Sequence, residues 1–446
     1  MASTKVWDAF LLHGSVSTDS RKIKEGDLFF ALSGEHFDGN QFAAKALSDG
    51  ASLVVVDNPA YMVEGDSRYV LVGNALKELQ DLALQYRRTF KIPIIGITGT
   101  NGKTTSKELI NAVLATTYRV HATVGNLNNH IGVPLTLLAM PTDTDVAIVE
   151  MGANKHGDIK ELVEIAEPTI CVVTNIGRAH LERFGDIEGV EQTKGEMFDF
   201  AASNGRMAVV NMKDLRVERR ARQVPERITY GLPGCDYWIS NLNTAPDHLD
   251  LEVTFGKSGQ SYRFISNLIG AHNAENVLLA TALGDILGVS VNSIREGLKG
   301  YFPKLNRTEL IRTSGFNLLL DAYNANPSSM EATLRGMHAQ GLSPVTLILG
   351  DMFELGPDSH RFHVDLVTLV RELFPDGKLL GVGKEMVAAV LECGFGVAYA
   401  TLDEASEVAA SMLEGSKWVL VKGSRGMALE RILPALGVER SGVSGH

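Results

Sequence analysis

The segment from Lys91 to Leu114, KIPIIGITGTNGKTTSKELINAVL, constrains the fold of this chain more than any other. Its first part, Ile92–Ile97, has the length and the branched apolar side chains of a buried strand. From Lys103 onward, apolar side chains recur at helical spacing, and a glycine-containing turn separates the two patterns. A strand, a glycine turn and a helix in this order predict a loop that binds the phosphates of a nucleoside triphosphate.

The predicted phosphate loop comprises Thr98, Gly99, Thr100, Asn101, Gly102, Lys103, Thr104 and Thr105. Its two glycines let the backbone N–H groups point inward, Lys103 supplies a point charge, and Thr104 offers a hydroxyl to Mg²⁺. The spacing departs from the usual pattern, because the first glycine of that pattern would fall at Ile97. A glycine turn that only caps a helix is the alternative, and it leaves the Lys-Thr-Thr sequence unexplained.

Composition limits the classes of protein to consider. The 446 residues are too many for one ordinary core, and the hydrophobic content of 45% excludes a disordered or fibrous chain. The net charge of −11 argues against a broad nucleic-acid-binding face, and three dispersed cysteines predict a reducing compartment. No apolar run reaches the ~20 residues that cross a bilayer, and MASTKVWDAF lacks a leader pattern. We therefore expect a soluble, cytoplasmic protein without a membrane span.

Alternating strand and helix patterns predict an α/β protein with three domains. Residues 1–88 form a small N-terminal α/β domain, and residues 89–302 form a central domain with a parallel sheet like that of phosphate-loop ATPases. Residues 303–446 form a Rossmann-like C-terminal domain. In residues 236–265, apolar and polar side chains alternate between turn signals, a pattern that predicts antiparallel strands added to the central sheet. Ligands of such sheets bind beyond the carboxyl ends of the strands, so polar residues there are candidate site residues.

Three ionisable residues of the central domain are candidate site residues, and their positions in the predicted elements differ. Glu150 ends an apolar strand, where its carboxylate can reach Mg²⁺ held by Thr104, although a capping or salt-bridged acid is the alternative. His180 follows the next strand, where a surface or packed histidine is the alternative. By spacing alone, Lys194 is an ordinary lysine on a helix.

Amides and charged residues elsewhere are also suited to a nucleotide. Asn273 and Asn276 start a predicted helix, and their amides can pair with an adenine edge, although Asn273 would serve equally well as an N-cap. Arg307 and Asp321 are suited to phosphate and ribose, which would make the third domain part of the site. The loop after the Trp418–Val421 strand is a weaker anion-binding candidate.

Seven motifs resemble those of the Mur ligases, ATP-dependent enzymes that form amide bonds in peptidoglycan precursor assembly, and the resemblance covers essentially the whole chain. They are TGTNGKTT, EMGANKHGDI, TNIGRAHLERFG, EQTKGEMF, GAHNAENVLLA, NRTE and DAYNANPSSM. Within the family, the segments GNLNNHIGVPLTLL, EMGANKHGDI, DAYNANPSSM and LGDMFELG most resemble one member, and this resemblance implies that the substrates are UDP-N-acetylmuramoyl-tripeptide and D-alanyl-D-alanine. The segment TDSRKIKEGDLFFAL resembles the uridine-nucleotide-binding domain of the family.

The resemblance assigns roles that spacing leaves open. It implies that Lys194 carries a carbamate formed with CO₂ and that this group and His180 hold a second Mg²⁺. A lysine needs a depressed pKa to react in this way. Catalytic contacts with phosphate and metal are implied for Lys103, Thr104 and Glu150. The other implied contacts are with ATP for Asn273, Asn276, Arg307 and Asp321, with the UDP-sugar peptide for Ser20, Arg21, Asn128 and Asn129, and with the incoming dipeptide for Tyr323, Asn324 and Asn326.

The implied reaction begins with attack of a substrate carboxylate on the γ-phosphate of ATP. An amine then displaces phosphate from the resulting acyl phosphate. We also predict a monomer and a hinge near Tyr301–Arg307 that closes the third domain on the nucleotide. The alternatives are the sibling ligase that adds the third amino acid, a folylpolyglutamate synthetase, and a phosphate-loop switch that holds nucleotide without ligating anything.

Overall fold

The computed structural model describes residues 2–179, 181–304 and 306–439. These residues form three successive α/β units, each built on its own sheet, with one additional two-stranded hairpin. The predicted α/β class and the predominance of parallel strands are confirmed. Within the described part of the chain, no helix has the length and apolar character needed to cross a bilayer.

The first unit has a four-stranded parallel sheet with helices packed against it. Its elements are α1 (Ala2–His13), β1 (Val16–Ser17), β2 (Leu28–Phe30), β3 (Ser33–Gly34), β4 (Phe37–Asp38), α2 (Ala43–Ser48), β5 (Leu53–Val56), β6 (Tyr69–Leu71) and α3 (Ala75–Arg87), with 3₁₀ turns at Gly39–Phe42 and Pro59–Tyr61. The sheet order is β1-β2-β5-β6, and β3 and β4 pair separately as a hairpin. Strands β2 and β5 are entirely buried, as their apolar sequences predict.

The second unit carries the phosphate loop. Its elements are β7 (Ile94–Thr98), α4 (Lys103–Leu114), β8 (Val120–Ala122), α5 (Gly132–Leu138), β9 (Val146–Glu150), α6 (Asp158–Ala166), β10 (Ile170–Val173), α7 (Leu181–Phe184), α8 (Ile187–Ser203), β11 (Met207–Asn211), α9 (Leu215–Ala221), β12 (Arg227–Gly231), β13 (Tyr237–Thr244), β14 (Leu249–Phe255), β15 (Gln260–Ser266), α10 (Ala274–Ile286) and α11 (Val291–Gly300). A 3₁₀ turn, Ala271–Asn273, precedes α10.

These strands form one sheet in the order β15-β14-β13-β12-β11-β10-β7-β9-β8. Strands β7 to β13 run parallel to one another, and β14 and β15 extend the sheet antiparallel, as the alternation in residues 236–265 predicts. Consecutive strand residues face opposite sides, so Ile94 and Ile95 belong to different hydrophobic clusters. The cluster containing Ile94 continues into the first unit as far as Val6.

The third unit has a six-stranded sheet. Its elements are β16 (Glu309–Arg312), β17 (Asn317–Asp321), α12 (Pro327–Ala339), β18 (Val345–Gly350), α13 (Ser359–Leu373), β19 (Lys378–Val382), α14 (Lys384–Cys393), β20 (Val397–Tyr399), α15 (Leu402–Met412) and β21 (Trp418–Lys422), with 3₁₀ segments at Gly356–Asp358, Arg425–Met427 and Leu429–Leu436. The sheet order is β16-β17-β21-β18-β19-β20, and only β16 is antiparallel to its neighbour.

One predicted element is wrong in type. The sequence predicts an α-helix around Met427–Ile432, whereas the structure has two 3₁₀ segments separated at Ala428. Ala428 has a φ of 47°, in the left-handed region that interrupts a right-handed helix. Pro434 lies in the second segment and lacks the N–H that an α-helix would use there.

Candidate active site

A cavity of about 810 Å³ lies between the second and third units. Residues that follow β7, β9 and β10 line one side, and residues at the ends of β17 and β21 and the start of α12 line the other. All these strands present their carboxyl ends, which is where open α/β sheets bind ligands.

The phosphate loop forms one wall of this cavity. Gly99 and Gly102 have φ values of 142° and 79°, which disfavour residues with a side chain. A Cβ at Gly99 would also clash with the hydroxyl of Thr174. The Lys103 ammonium folds back over the loop and donates to the carbonyls of Gly99 (2.6 Å) and Thr100 (3.1 Å). Burial lowers the pKa of Lys103, and the Glu150 charge opposes this shift.

Asn101 at the tip of the loop is held by the segment after β10. Its backbone N–H donates to Asn175 Oδ1 at 2.9 Å, and its carbonyl accepts from Asn175 Nδ2 at 2.9 Å and Thr174 Oγ1 at 2.7 Å. The side chain of Asn175 thus binds both the N–H and the carbonyl of Asn101. This role could not be predicted from the sequence, because it depends on β7 and β10 being neighbours in the sheet.

Glu150 lies at the end of β9 with 2% of its surface exposed. Its Oε1 accepts from Thr104 Oγ1 at 3.1 Å and from Asn128 Nδ2 at 2.9 Å. Its Oε2 is buried and has no hydrogen-bond partner among the described residues. No salt bridge of Glu150 occurs among them either, so the salt-bridged alternative is not what the structure shows.

A buried carboxylate oxygen without a partner, beside a threonine hydroxyl, matches the hard oxygen donors that Mg²⁺ prefers. The described residues contain no group of three His, Cys, Asp or Glu side chains placed to hold a metal. A magnesium ion here would therefore complete its shell with phosphate oxygens and water, which is its usual habit in nucleotide sites.

Lys194 is a buried lysine on α8 that lines the cavity, with 2% of its surface exposed. Burial and the nearby Lys103 charge hold its pKa well below the usual value, although Asp158 and Glu196 oppose the shift. Among the described residues, its ammonium has no hydrogen bond or ion pair. His180, its predicted partner in metal binding, lies outside the described residues.

Asn273 and Asn276 form a polar chain that ends on α4. Asn276 Nδ2 donates to Asn273 Oδ1 at 2.9 Å, and Ser106 Oγ donates to Asn276 Oδ1 at 2.9 Å. Asn273 Nδ2 donates to the carbonyl of Ile269 at 2.8 Å. Asn273 occupies the N-cap position of α10, but its side chain makes no capping hydrogen bond. The N-cap alternative therefore does not explain this side chain.

The third unit contributes Asp321 and Arg307 to the opposite wall. Asp321 forms a close ion pair with the buried Lys422, and its Oδ1 accepts from the Thr308 N–H at 3.1 Å. The Arg307 guanidinium lies 3.6 Å from the centroid of the Tyr323 ring, a cation–π contact. Sequence reasoning placed Lys422 only in the weak anion-binding loop after the Trp418–Val421 strand. It missed the pairing with Asp321, because that pairing depends on the register of β17 and β21, in which the two residues lie directly opposite each other.

The structure brings most of the predicted site residues to the cavity. Those that line it are Gly99, Thr100, Asn101, Gly102, Lys103, Thr104, Thr105, Asn128, Asn129, Glu150, Lys194, Asn273, Asn276, Arg307, Asp321, Tyr323 and Asn324. His272, Arg183 and Ser328 also line it and were not predicted.

Four predicted residues do not line the cavity. Ser20 and Arg21 lie in the first unit, where Arg21 pairs with Asp19 at 2.8 Å. The Thr98 hydroxyl donates to the carbonyl of Met151 at 2.8 Å and is buried. Asn326 caps α12 through its Oδ1, and its Nδ2 donates to Asn101 Oδ1 at 2.8 Å.

A phosphate loop, a buried acid and a second α/β unit around one cavity define an enzyme that uses a nucleotide. Three segments match models of the Mur ligase family: residues 13–98 the catalytic domain, residues 97–284 the middle domain, and residues 306–425 the glutamate ligase domain. The chain belongs to the Mur ligase family, whose members are ATP-dependent, amide-bond-forming ligases.

Known proteins and solved structures are similar to this chain over nearly its whole length. A UDP-N-acetylmuramoyl-tripeptide–D-alanyl-D-alanine ligase from Bacillus subtilis is 34% identical over 438 residues, covering 96% of this chain and 94% of the relative. A MurF crystal structure from Acinetobacter baumannii has 28% identity and a TM-score of 0.87, covering 95% and 93%. MurF from Thermotoga maritima in complex with ADP has 25% identity and a TM-score of 0.84, covering 95% and 97%.

Proposed function

We propose that this protein joins D-alanyl-D-alanine to UDP-N-acetylmuramoyl-tripeptide in peptidoglycan precursor synthesis, consuming ATP and releasing ADP and phosphate. One observation carries the proposal: the phosphate loop and the Thr104–Glu150 pair of the second unit meet the Asp321–Lys422 pair of the third unit at one cavity. Relatives with this named activity, matched over 94% and 93% of their own length, support the choice of substrates.

The loop from Gly99 to Thr105 would hold the ATP phosphates through its N–H groups and the positive end of α4. Asn273 and Asn276 would hold the base, and Asp321 the ribose, with Lys422 fixing the Asp321 carboxylate. Arg307 would contact phosphate from the third unit. Asn306 and Thr308 flank it with φ values of 60° and 50°, in the left-handed region that residues with a side chain adopt infrequently.

Thr104 and Glu150 would hold Mg²⁺, and Lys194 with His180 would hold a second Mg²⁺ once Lys194 is carbamylated. When bound, the metal ions neutralise phosphate charge. The observations behind the carbamate are the burial of Lys194 and its lowered pKa, because only a neutral amine reacts with CO₂. Carbamylation would turn a buried neutral amine into an anion beside Lys103, which supplies the opposite charge.

The chain's own residues would promote the transfer mainly by position and charge. Lys103 would reduce repulsion between ATP and the attacking carboxylate of the tripeptide, which takes the γ-phosphoryl group and releases ADP. The amine of the dipeptide would then attack the acyl phosphate, lose a proton and displace phosphate. Ser20, Arg21, Asn128 and Asn129 are our candidates for the UDP-sugar peptide, and Tyr323 and Asn324 for the dipeptide.

Asn326, the third dipeptide candidate, has both ends of its amide occupied within the protein, so its support is weaker. The domain boundaries at residues 88 and 302, the monomeric state, the hinge near Tyr301–Arg307 and the cytoplasmic location stay predictions.

ADP release from ATP tests the proposal. Purified protein receives UDP-N-acetylmuramoyl-tripeptide with and without D-alanyl-D-alanine, and a Lys103→Met variant is the control. We expect sustained ADP release only with both substrates, and a product heavier by the dipeptide less water. In further assays, UDP-N-acetylmuramoyl-tripeptide is replaced by UDP-N-acetylmuramoyl-dipeptide or by a folate. Turnover with the first would favour the sibling ligase, and turnover with the second would favour the folylpolyglutamate synthetase. Slow hydrolysis that ignores every amine would favour the nucleotide switch.

A further inference from the structure

Lys107 is a fully buried lysine on α4 that does not line the cavity. Only 1% of its surface is exposed, and burying an ammonium is unfavourable unless it is paired and hydrogen-bonded. Its Nζ donates to the carbonyl of Thr123 at 2.6 Å and lies 2.7 Å from Glu108 Oε1. The proposed reaction gives this charge no direct role.

Thr123 connects Lys107 to the strand that carries Glu150. It follows β8 directly, is 2% exposed, and its N–H donates to the carbonyl of Ile148 at 3.0 Å. Its hydroxyl accepts from the backbone N–H of Glu150 at 3.0 Å. Lys107 therefore holds, through one residue, the backbone of the proposed metal ligand.

The segment that begins at Thr123 makes a second contact with Glu150, this time with its carboxylate. Asn128 Nδ2 donates to Glu150 Oε1 at 2.9 Å, and the Gly152 N–H donates to the Asn128 carbonyl at 2.7 Å. The segment from Thr123 to Asn128 thus holds both the backbone and the carboxylate of Glu150.

Helix α4 supports this arrangement at two points. Thr104 and Lys107 are three residues apart and so lie on neighbouring positions of one helical face. Thr104 contacts the carboxylate of Glu150, and Lys107 anchors the segment that surrounds it. We infer that Lys107 is a positioning residue, which fixes Glu150 relative to Thr104 so that the two share one magnesium ion. This inference depends on the metal role given to Glu150 in the proposed function.

Isothermal titration of the purified full chain with ADP, in the presence and absence of Mg²⁺, tests the inference without measuring turnover. In Lys107→Met, we expect the gain in ADP affinity that Mg²⁺ provides to fall roughly tenfold or more, the usual effect of losing a residue behind a metal ligand. ADP binding without Mg²⁺ should change little. Thr123→Val, which keeps the carbonyl but removes the acceptor for the Glu150 N–H, should show the same selective loss.

Two variants serve as matched controls. Arg87→Met also removes a buried cation that holds carbonyl groups, those of Ala166 and Glu167 at 2.8 Å each, but it lies away from the cavity. It should lower the melting temperature and leave the Mg²⁺ effect intact. Glu108→Gln removes the ion pair but keeps the Lys107–Thr123 bond, so its Mg²⁺ effect should stay close to that of the wild type.

The outcomes separate the two claims. An undiminished Mg²⁺ effect in Lys107→Met would overturn the inference alone, and so would an equal loss in Arg87→Met. If Lys107→Met does not fold, an undiminished effect in Thr123→Val overturns it instead. A wild-type protein whose ADP affinity ignores Mg²⁺ would overturn both the inference and the metal role of Glu150.

Discussion

Lys194 shows how burial changes the chemistry of a single side chain. Its sequence context is that of an ordinary helical lysine, yet the fold places it inside the cavity without an ion pair among the described residues. A buried, unpaired ammonium is disfavoured, so the neutral amine is populated at a lower pH than in a free lysine. The neutral amine is the form that adds CO₂.

We expect Lys194→Ala to lower ADP release in the complete reaction by two orders of magnitude or more, since it removes the proposed carbamate. Added formate or acetate should restore part of the rate by supplying a carboxylate in the space left. Lys155→Ala, which also changes a lysine lining the cavity, is the matched control and should show no such rescue. Full activity of Lys194→Ala without additives would exclude the carbamate role.

At the scale of elements, the N-terminus of α12 meets the tip of the phosphate loop. Asn326 caps the helix with its Oδ1 and reaches Asn101 with its Nδ2, so one side chain both starts a helix and joins two units. The Arg178 N–H also donates to Ser328 Oγ on the first turn of the helix, at 3.4 Å.

Asn326→Ser keeps an N-cap but is too short to reach Asn101, so we expect a lower kcat/KM for ATP with an unchanged melting temperature. The loss of one hydrogen bond of about 1 kcal/mol corresponds to a few-fold effect. Asn326→Ala should add a loss of stability of about 1 kcal/mol, because it also removes the cap. If both variants match the wild type in kcat/KM, the contact does not contribute to nucleotide use.

Sequence patterns located the elements better than they located the contacts between them. The apolar runs Met207–Asn211, Asn317–Asp321 and Val345–Gly350 each predict a strand, and the structure has strands with the same bounds, because each run lies in a covered sheet. Helix α1 and strand β16 were not predicted. Strand β16 is short and only half-buried, so its sequence lacks the apolar run that marks the central strands.

The same limit applies to the site. The phosphate loop is a local pattern and could be predicted from contiguous residues. The Asp321–Lys422 pair joins residues 101 positions apart, and it depends on β21 lying beside β17 in the sheet. The use of Asn326 within the protein likewise depends on the docking of the third unit, which no local pattern encodes.

At the scale of the whole molecule, the third unit is docked onto the second by contacts outside the cavity. Arg312 pairs with Asp247 at 2.5 Å, and the Glu182 N–H donates to the carbonyl of Glu354 at 3.2 Å. The nucleotide site we propose is shared between these units, so residues of the third unit should affect ATP binding.

Asp321→Ala should raise the KM for ATP about tenfold or more, as expected for a charged hydrogen bond, while the KM for the UDP-sugar peptide changes little. It also leaves Lys422 buried without its partner, which costs stability. The double variant Asp321→Ala/Lys422→Met removes both charges and should regain stability but not ATP affinity. An unchanged KM for ATP in either variant would remove the third unit from the nucleotide site.

The central claim is that the cavity activates a carboxylate by phosphorylating it with ATP before an amine attacks. Transfer of ¹⁸O tests this most directly: the tripeptide substrate is labelled in its reacting carboxylate, and the phosphate released during ligation is analysed by mass spectrometry. We predict that each phosphate released with a molecule of product carries one ¹⁸O atom from the peptide. Unlabelled phosphate accompanying labelled product would contradict the account.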